Sequence, residues 1–148
     1  MISIIIPVRN EKEKISGTLN SIISQSYNGE IEIIIADGMS NDGTREIINN
    51  YRENYSYIYL IDNPEKIVST GFNRALTMSK GSIIIRIDGH AEVGEDFIIN
   101  NLKILKNIDA NCVGGFTIHS SRTTVGNHIS IAQSSKFGAG GALFRTGI

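Results

Sequence analysis

A short isoleucine-rich segment that gives way abruptly to polar residues constrains the fold of this chain more than any other feature. Four of the five residues at 83–87 are isoleucine, and Asp88, Gly89 and His90 follow directly. An apolar run this short and this rich in β-branched residues predicts a strand buried on both faces of a parallel sheet. The carboxylate and the imidazole then lie at the carboxyl end of the strand, where open α/β sheets bind ligands.

Asp88 and His90 are candidate ligands for a divalent metal ion. They are two residues apart, so in an extended segment their side chains project to the same side. A carboxylate oxygen and an imidazole nitrogen can share one ion, and a diphosphate can supply the other ligands. The alternative is that Asp88 caps the following turn and His90 lies in a solvated loop. The local pattern leaves both interpretations open.

The rest of the chain alternates between strand and helix patterns. Period-two and continuous apolar runs predict strands, and apolar residues at helical spacing predict helices. The predicted strands are 3–8, 32–37, 57–62, 83–87 and 111–117, and the predicted helices are 13–25, about 47–51, about 68–76 and 95–107. This order predicts an α/β fold with a mostly parallel open sheet and helices on both faces.

Polar side chains follow each of the first four predicted strands. Arg9-Asn10-Glu11 follows the first, and Asp37, Asp62 and Asp88 end the next three. Each acid alone is more often a turn or helix cap. Together they predict a polar cleft suited to a nucleotide, because carboxylates accept hydrogen bonds from ribose hydroxyls and base N–H groups. Neither the Gly-x-Gly-x-x-Gly fingerprint nor the P-loop motif is present, which favours a metal-bridged diphosphate.

Composition excludes several classes of function. A net charge of −1 provides no basic surface for nucleic acid. No apolar run approaches the ~20 residues of a membrane span. The one cysteine, Cys112, excludes an internal disulfide, is compatible with the cytosol, and is expected to be a buried, inert thiol in an apolar run. His119 and His128 are too isolated to form a zinc site with it.

Four sequence motifs resemble the family-2 inverting glycosyltransferases. The run Arg86-Ile-Asp-Gly-His-Ala and the segment from Phe137 to Arg145 are most similar to the subgroup that makes succinoglycan-type exopolysaccharides. The motifs are Ser3-Ile-Ile-Ile-Pro-Val-Arg-Asn-Glu11, Asp37-Gly-Met-Ser-Asn-Asp-Gly-Thr44, Gly71-Phe-Asn-Arg-Ala75 and Ile87-Asp-Gly-His90. The resemblance implies a GT-A fold and transfer of a sugar, with inversion, from a nucleotide-diphosphate sugar to a saccharide or lipid-linked acceptor.

The resemblance also implies roles for individual residues. Pro7, Arg9 and Glu11 are expected to line the nucleotide pocket. Asp37 is expected to hydrogen-bond the base, and Lys66 to reach the diphosphate.

Asp88 and His90 match the family's Asp-x-Asp motif, which binds the ribose and a metal-bound diphosphate, with Mn²⁺ or Mg²⁺ as the ion. Here His90 replaces the second acid of that motif, and Gly38 replaces the second acid of the earlier turn. One negative charge fewer predicts weaker metal binding.

Residues 1–148 are expected to form a single nucleotide-sugar-binding domain, the N-terminal donor-binding part of a longer chain. The resemblance implies that the general base lies beyond Ile148, so the segment is expected to bind donor better than it turns it over. The location implied is cytoplasmic, at the inner face of the membrane, with peripheral association through segments outside this sequence. The sequence leaves open whether the protein forms a homodimer.

Two other functions also stay open. A non-catalytic nucleotide-sugar-binding module needs only the loop after the first strand, Asp37 and Asp88. A nucleotidyltransferase shares the general fold, but its glycine-rich loop is absent after the first strand. An oxidoreductase is disfavoured by the missing glycine fingerprint.

Overall fold

Strands and helices alternate along the first 96 residues. The computed structural model describes residues 1–108, 110–115, 118 and 123–135, and the chain divides into two units, Met1–Asp96 and Phe97–Ile148. The elements of the first unit are β1 (Ile2–Val8), α1 (Ile15–Ile23), β2 (Ile31–Asp37), α2 (Thr44–Asn54), β3 (Ile58–Asp62), α3 (Val68–Met78) and β4 (Ile83–Arg86). The predicted alternation of the first seven elements is confirmed, with ends that differ by a few residues.

The four strands form one parallel sheet in the order β3-β2-β1-β4. The predicted α/β fold with an open parallel sheet is therefore confirmed. In this order the carboxyl ends of all four strands lie along one edge. Val8 is paired with Asp37, and Asp37 with Asp62, so the residues that follow these strands come together there.

The core of the first unit is built mainly from isoleucine. All seven residues of β1 are buried, as expected for a central strand. Successive side chains point to opposite faces, and on one face Ala75 of α3 packs with Ile5, Ile34 and Ala36. Ile4 on the other face is also fully buried. Helices α1 and α2 contact each other, and α2 contacts β3.

The prediction that the strand before Asp88 is buried on both faces is wrong. Strand β4 lies at the end of the strand order, with β1 as its neighbour. Its three isoleucines are half-buried and Arg86 is exposed. The strands that are buried almost throughout are β1 and β2, the two that have a neighbouring strand on each side.

The second unit contains helices α4 (Phe97–Asn107) and α5 (Thr124–Ser134). The apolar pattern predicted α4 but not α5, whose glycine, serine and threonine content gives little helical signal. The available signal was Thr123, whose side chain accepts a hydrogen bond of 3.1 Å from the backbone N–H of Gly126 as an N-cap. His128 lies on this helix and is exposed.

Two predictions for the second unit are wrong within the described residues. Residues 111–115 form no strand, and residues 116 and 117 lie outside the described part. Two glycines, Gly114 and Gly115, interrupt the apolar run after only Cys112 and Val113, which leaves too little side chain to pack against a sheet. Without a strand the cysteine is not covered, and Cys112 is exposed rather than buried.

Among the residues that the structure covers, no helix is both long and apolar enough to span a membrane.

Candidate functional site

A cavity of about 180 Å³ lies at the carboxyl edge of the sheet. Residues that end or follow β1, β2, β3 and β4 line it, as the parallel arrangement requires. The lining comprises Pro7, Val8, Arg9, Glu11, Gly38, Asn63, Lys66, Ile67, Val68, Arg86, Asp88, Gly89 and His90.

The cavity brings together most of the residues that the sequence singled out. Six of them line it, and Asp37 is not among the lining residues. His119 and the segment from Phe137 to Arg145 lie outside the described residues. The six are Pro7, Arg9, Glu11, Lys66, Asp88 and His90.

Asp37 is fully buried beside the cavity and is bound by groups of the chain itself. The backbone N–H of Ser40 donates to Oδ2 at 3.0 Å, and the Ser40 hydroxyl donates to Oδ1. Arg45 donates to Oδ2 at 2.6 Å and also contacts Asp62 at 2.8 Å. The hydrogen bond to Asp37, aided by that to Asp62, raises the pKa of Arg45 above its usual value against the opposing effect of burial. Base recognition by Asp37 stays a prediction.

Hydrogen bonds tie the loop after β1 to the loop after β2. Asn10 is central: its N–H donates to Ser40 Oγ at 2.8 Å, and its Oδ1 accepts from the N–H of Asn41 at 3.0 Å. The N–H of Glu11 donates to Thr44 Oγ1 at 2.9 Å. These hydrogen bonds fix the backbone of the loop after β1. Arg9 and Glu11, which line the cavity, therefore extend from a fixed backbone.

Asp42 adds a further link between these two loops, because its Oδ2 accepts a hydrogen bond of 3.1 Å from the N–H of Lys12. The Thr44 hydroxyl donates to Asp42 Oδ1 at 2.6 Å. The Thr44 hydrogen bond, with those from the backbone, lowers the pKa of Asp42 despite the opposing effect of desolvation. The carboxylate therefore stays ionised and joins the two loops.

Three of these edge loops hold a residue in a left-handed backbone conformation. Among the described residues, the non-glycine residues with positive φ are Asn10 at 55°, Met39 at 59° and Lys66 at 60°. They follow β1, β2 and β3 respectively. Such conformations are costly and persist where the surroundings enforce them, often at binding sites. This clustering supports the edge as the functional region.

Asn63 enforces the backbone conformation of the loop that carries Lys66. It is 2% exposed, and its side-chain amide donates to the carbonyl of Ile67 at 2.8 Å. Its Oδ1 accepts from Thr70 at 2.9 Å, and its carbonyl accepts from the N–H of Lys66 at 3.0 Å. The loop is thus fixed from both sides, with Lys66 at the cavity wall.

The segment Asp88-Gly89-His90 is a turn rather than an extended strand, closed by a hydrogen bond of 3.0 Å from the Ala91 N–H to the Asp88 carbonyl. The expected extended geometry is therefore wrong, although Asp88 and His90 still line the same cavity. A Cβ at Gly89 would lie 2.6 Å from Cγ1 of Val8, so the close approach requires glycine. Thr18 anchors the turn by donating to the Gly89 carbonyl at 3.0 Å.

Glu11 and His90 form a pair across the cavity wall. A distance of 2.9 Å joins Nδ1 of His90 to Oε1 of Glu11, and their side chains are 61% and 25% exposed. An ionised carboxylate only accepts hydrogen bonds, so we assign the proton to Nδ1. Nε2 is then the nitrogen that can bind an ion, an arrangement in which a carboxylate orients a metal-binding histidine.

Arg86 pairs with Asp88 at the start of the same turn. Its Nε and Nη2 donate to the same oxygen, Oδ1, at 3.2 and 2.9 Å. Both side chains are about half exposed. Within the described residues, no three side chains of His, Cys, Asp or Glu come together as a metal cage. Asp88 and His90 therefore fit an ion only if the ligand supplies most of the coordination.

The charges of the lining favour an anion. Arg9, Lys66 and Arg86 are cationic, against the carboxylates of Glu11 and Asp88. Sequence reasoning missed Arg45, Asn63 and Arg86. Arg86 could have been identified from its position, because it precedes the candidate ligand Asp88 by only two residues. For Arg45 the signal was weaker: a buried acid at the end of a strand needs a cation, and the first turn of the next helix provides one.

Comparison with known proteins identifies similar chains. Residues 3–145 match the family described as Glycosyl transferase family 2. "Succinoglycan biosynthesis protein ExoA" of Rhizobium meliloti (strain 1021) is 32% identical, over 97% of this chain and 44% of ExoA. The chain spans less than half the length of ExoA and of two other curated glycosyltransferases that it matches.

Two solved structures share the fold. The mannosyltransferase PcManGT of Pyrobaculum calidifontis, in complex with GDP-Man and Mn²⁺, has a TM-score of 0.67 at 26% identity, over 72% of this chain and 32% of PcManGT. S. aureus TarS 1–349 in complex with UDP has a TM-score of 0.64 at 20% identity, over 80% of this chain and 38% of the TarS 1–349 chain. Both matches confirm the predicted GT-A type of fold.

Proposed function

Because the chain belongs to glycosyl transferase family 2, we propose that it binds a nucleotide-diphosphate sugar as donor. The sugar is transferred with inversion to a saccharide or lipid-linked acceptor, in the synthesis of a cell-surface or exported polysaccharide. The observation that carries the proposal is the cavity at the carboxyl edge of the sheet, where six residues predicted from sequence meet. The reaction takes place on the cytoplasmic side of the membrane.

Different residues of the cavity bind different parts of the donor. Lys66 contacts the diphosphate, and Arg9 and Glu11 lie on the held loop after β1, against the nucleoside. Asp88 accepts hydrogen bonds from the ribose hydroxyls. The lining has three cationic side chains against two carboxylates, and this excess of one positive charge supports an anionic ligand.

The relatives support this class of substrate. ExoA is named for succinoglycan biosynthesis, and the solved neighbours hold UDP in TarS and GDP-Man in PcManGT. These ligands differ in their base and agree in their diphosphate. We therefore propose a diphosphate in the donor, and the comparison of UDP with GDP described below identifies the base.

A divalent ion, Mn²⁺ or Mg²⁺, is proposed as the cofactor, with Asp88 and Nε2 of His90 as its protein ligands. When bound, the ion neutralises the diphosphate and stabilises the charge that develops as the nucleotide leaves. Glu11 orients His90 for this role through the Nδ1 hydrogen bond. The Mn²⁺ in PcManGT supports the choice of ion.

The test is a thermal-shift and calorimetric comparison of UDP and GDP, with and without Mn²⁺. We expect one nucleotide to raise the melting temperature, and Asp88→Asn to weaken its affinity about tenfold to hundredfold, as for a lost charge-assisted hydrogen bond. Asp96→Asn, at an exposed aspartate outside the cavity lining, is the matched control and should change nothing. Failure of both nucleotides to bind in either buffer would refute the proposal.

A further inference from the structure

We infer that Arg86 is a diphosphate-binding residue that Asp88 holds in place until the donor arrives. The inference rests on the proposed function, because it assumes that a nucleoside diphosphate enters the cavity. Arg86 ends β4 and lines that cavity. The roles that the family resemblance implies do not include Arg86, because the Asp-x-Asp motif to which they belong begins at Asp88.

The Arg86–Asp88 contact has the geometry of an exchangeable pair. Nε and Nη2 both donate to one carboxylate oxygen, Oδ1, instead of spanning the two oxygens of Asp88. The two side chains are 52% and 48% exposed. Pairs this exposed contribute little stability because water competes for both partners. Arg86 can therefore leave Asp88 at small cost.

A diphosphate is the better partner for the same guanidinium. It presents several anionic oxygens at spacings that match the planar fork of arginine, so that two parallel hydrogen bonds form. The neighbouring cation Lys66 lines the same cavity and adds to the attraction. When Arg86 moves to the diphosphate, Oδ1 of Asp88 becomes free to accept from a ribose hydroxyl or to bind a divalent ion.

A competing interpretation gives Arg86 no ligand at all and makes it a partner that only neutralises Asp88. The two interpretations differ in the effect of Arg86→Gln. If Arg86 binds the diphosphate, its removal weakens nucleotide binding most when no metal is present to compensate. If it only occupies Asp88, its removal leaves metal-free binding unchanged and tightens binding in Mn²⁺, because the carboxylate is freed.

The experiment is calorimetric titration of UDP and GDP into wild-type protein, Arg86→Gln and Arg86→Lys, in EDTA and in Mn²⁺. In EDTA, Arg86→Gln should weaken the nucleotide that binds about tenfold to hundredfold. Arg86→Lys, which keeps the charge and loses the fork, should fall between Arg86→Gln and wild type. Affinity for the corresponding nucleoside, which carries no phosphate, should be the same in all three proteins.

Arg52→Gln is the matched control. Arg52 is an exposed arginine of α2 that donates to Asn49 and does not line the cavity. The Arg52→Gln substitution removes one positive charge, as Arg86→Gln does, and should leave the affinities for UDP, GDP and the nucleosides unchanged. Unchanged urea midpoints would show that the variants are folded, and Arg86→Lys supplies a second test should Arg86→Gln be unstable.

Two negative outcomes are distinguishable. Wild-type protein that binds neither nucleotide in either buffer would overturn the proposed function and this inference with it. Wild-type protein that binds a nucleotide, with Arg86→Gln equal or tighter in EDTA, would overturn only the role of Arg86.

Discussion

Arg45 is expected to be the surface arginine whose loss costs the most stability, because its carboxylate partner cannot reach water. Asp37 is 0% exposed, whereas the Arg45 side chain is 32% exposed. Arg45→Met keeps most of the aliphatic stem and removes the cation. A hydrogen bond to a charged group contributes about 1.5–3 kcal/mol, and breaking a fully buried pair costs about 3–5 kcal/mol. Ser40 still donates twice to Asp37, so we expect a loss of about 2–3 kcal/mol.

The measurement is urea unfolding, with the free energy taken from the midpoint at an unchanged slope. Arg74→Met is the matched control: Arg74, like Arg45, makes two contacts to carboxylate oxygens, here both of Glu65, but Arg74 and Glu65 are 46% and 44% exposed. Its loss should leave the midpoint almost unchanged.

Adding Asp37→Asn to Arg45→Met should recover part of the loss, because no buried charge then remains. Equal destabilisation by Arg45→Met and Arg74→Met would refute the reasoning, since burial of the partner would then not matter.

Two further predictions concern Glu32 and His90. Burial would raise the pKa of Glu32, but hydrogen bonds from Ser3 and from the backbone N–H groups of Lys80 and Gly81 outweigh it and lower the pKa below the usual value of a glutamate. Its stabilising effect is therefore complete above that value and is lost as pH falls through the lowered pKa. Acid unfolding of Glu32→Gln should lack this part of the pH dependence, and the exposed Glu30→Gln should keep it. His90→Asp should retain metal binding and shift selectivity from Mn²⁺ toward Mg²⁺ in nucleotide-dependent metal titrations. Weaker diphosphate binding even with metal present would instead make His90 a hydrogen-bond donor.

The sequence predicted the position of the cavity because that position depends on topology. Strands that alternate with helices become parallel, and the carboxyl ends of parallel strands share an edge. Polar residues after β1, β3 and β4 therefore had to meet, whatever the details of the loops. Asp88 lines the cavity for this reason, whereas Lys66, which lines it too, was expected there from the family resemblance.

The pairing of side chains within the site could not be predicted in the same way. Glu11 and His90 are 79 positions apart, and their contact depends on a turn at Gly89 that packs against Val8. The expected burial of Asp88's strand failed because apolar content does not say whether a strand is central or at an end of the sheet. Cys112 was misjudged for a related reason, since its burial assumed a strand that residues 111–115 do not form.

The two sides of the cavity differ in how firmly their side chains are held, and this difference fits the order in which a donor is recognised. On the side of β1 and β2, hydrogen bonds from Asn10 and Glu11 fix the loop before any ligand arrives. Little conformational freedom is then lost when the nucleoside is bound there. On the side of β4, Arg86 and Asp88 satisfy each other through an exposed pair that is easily broken. The fixed loop after β1 can select the shape of the nucleoside. The Arg86–Asp88 ion pair can open and respond to the charge of the diphosphate. Binding of the uncharged nucleoside should therefore be insensitive to salt, whereas binding of the diphosphate should weaken as ionic strength rises.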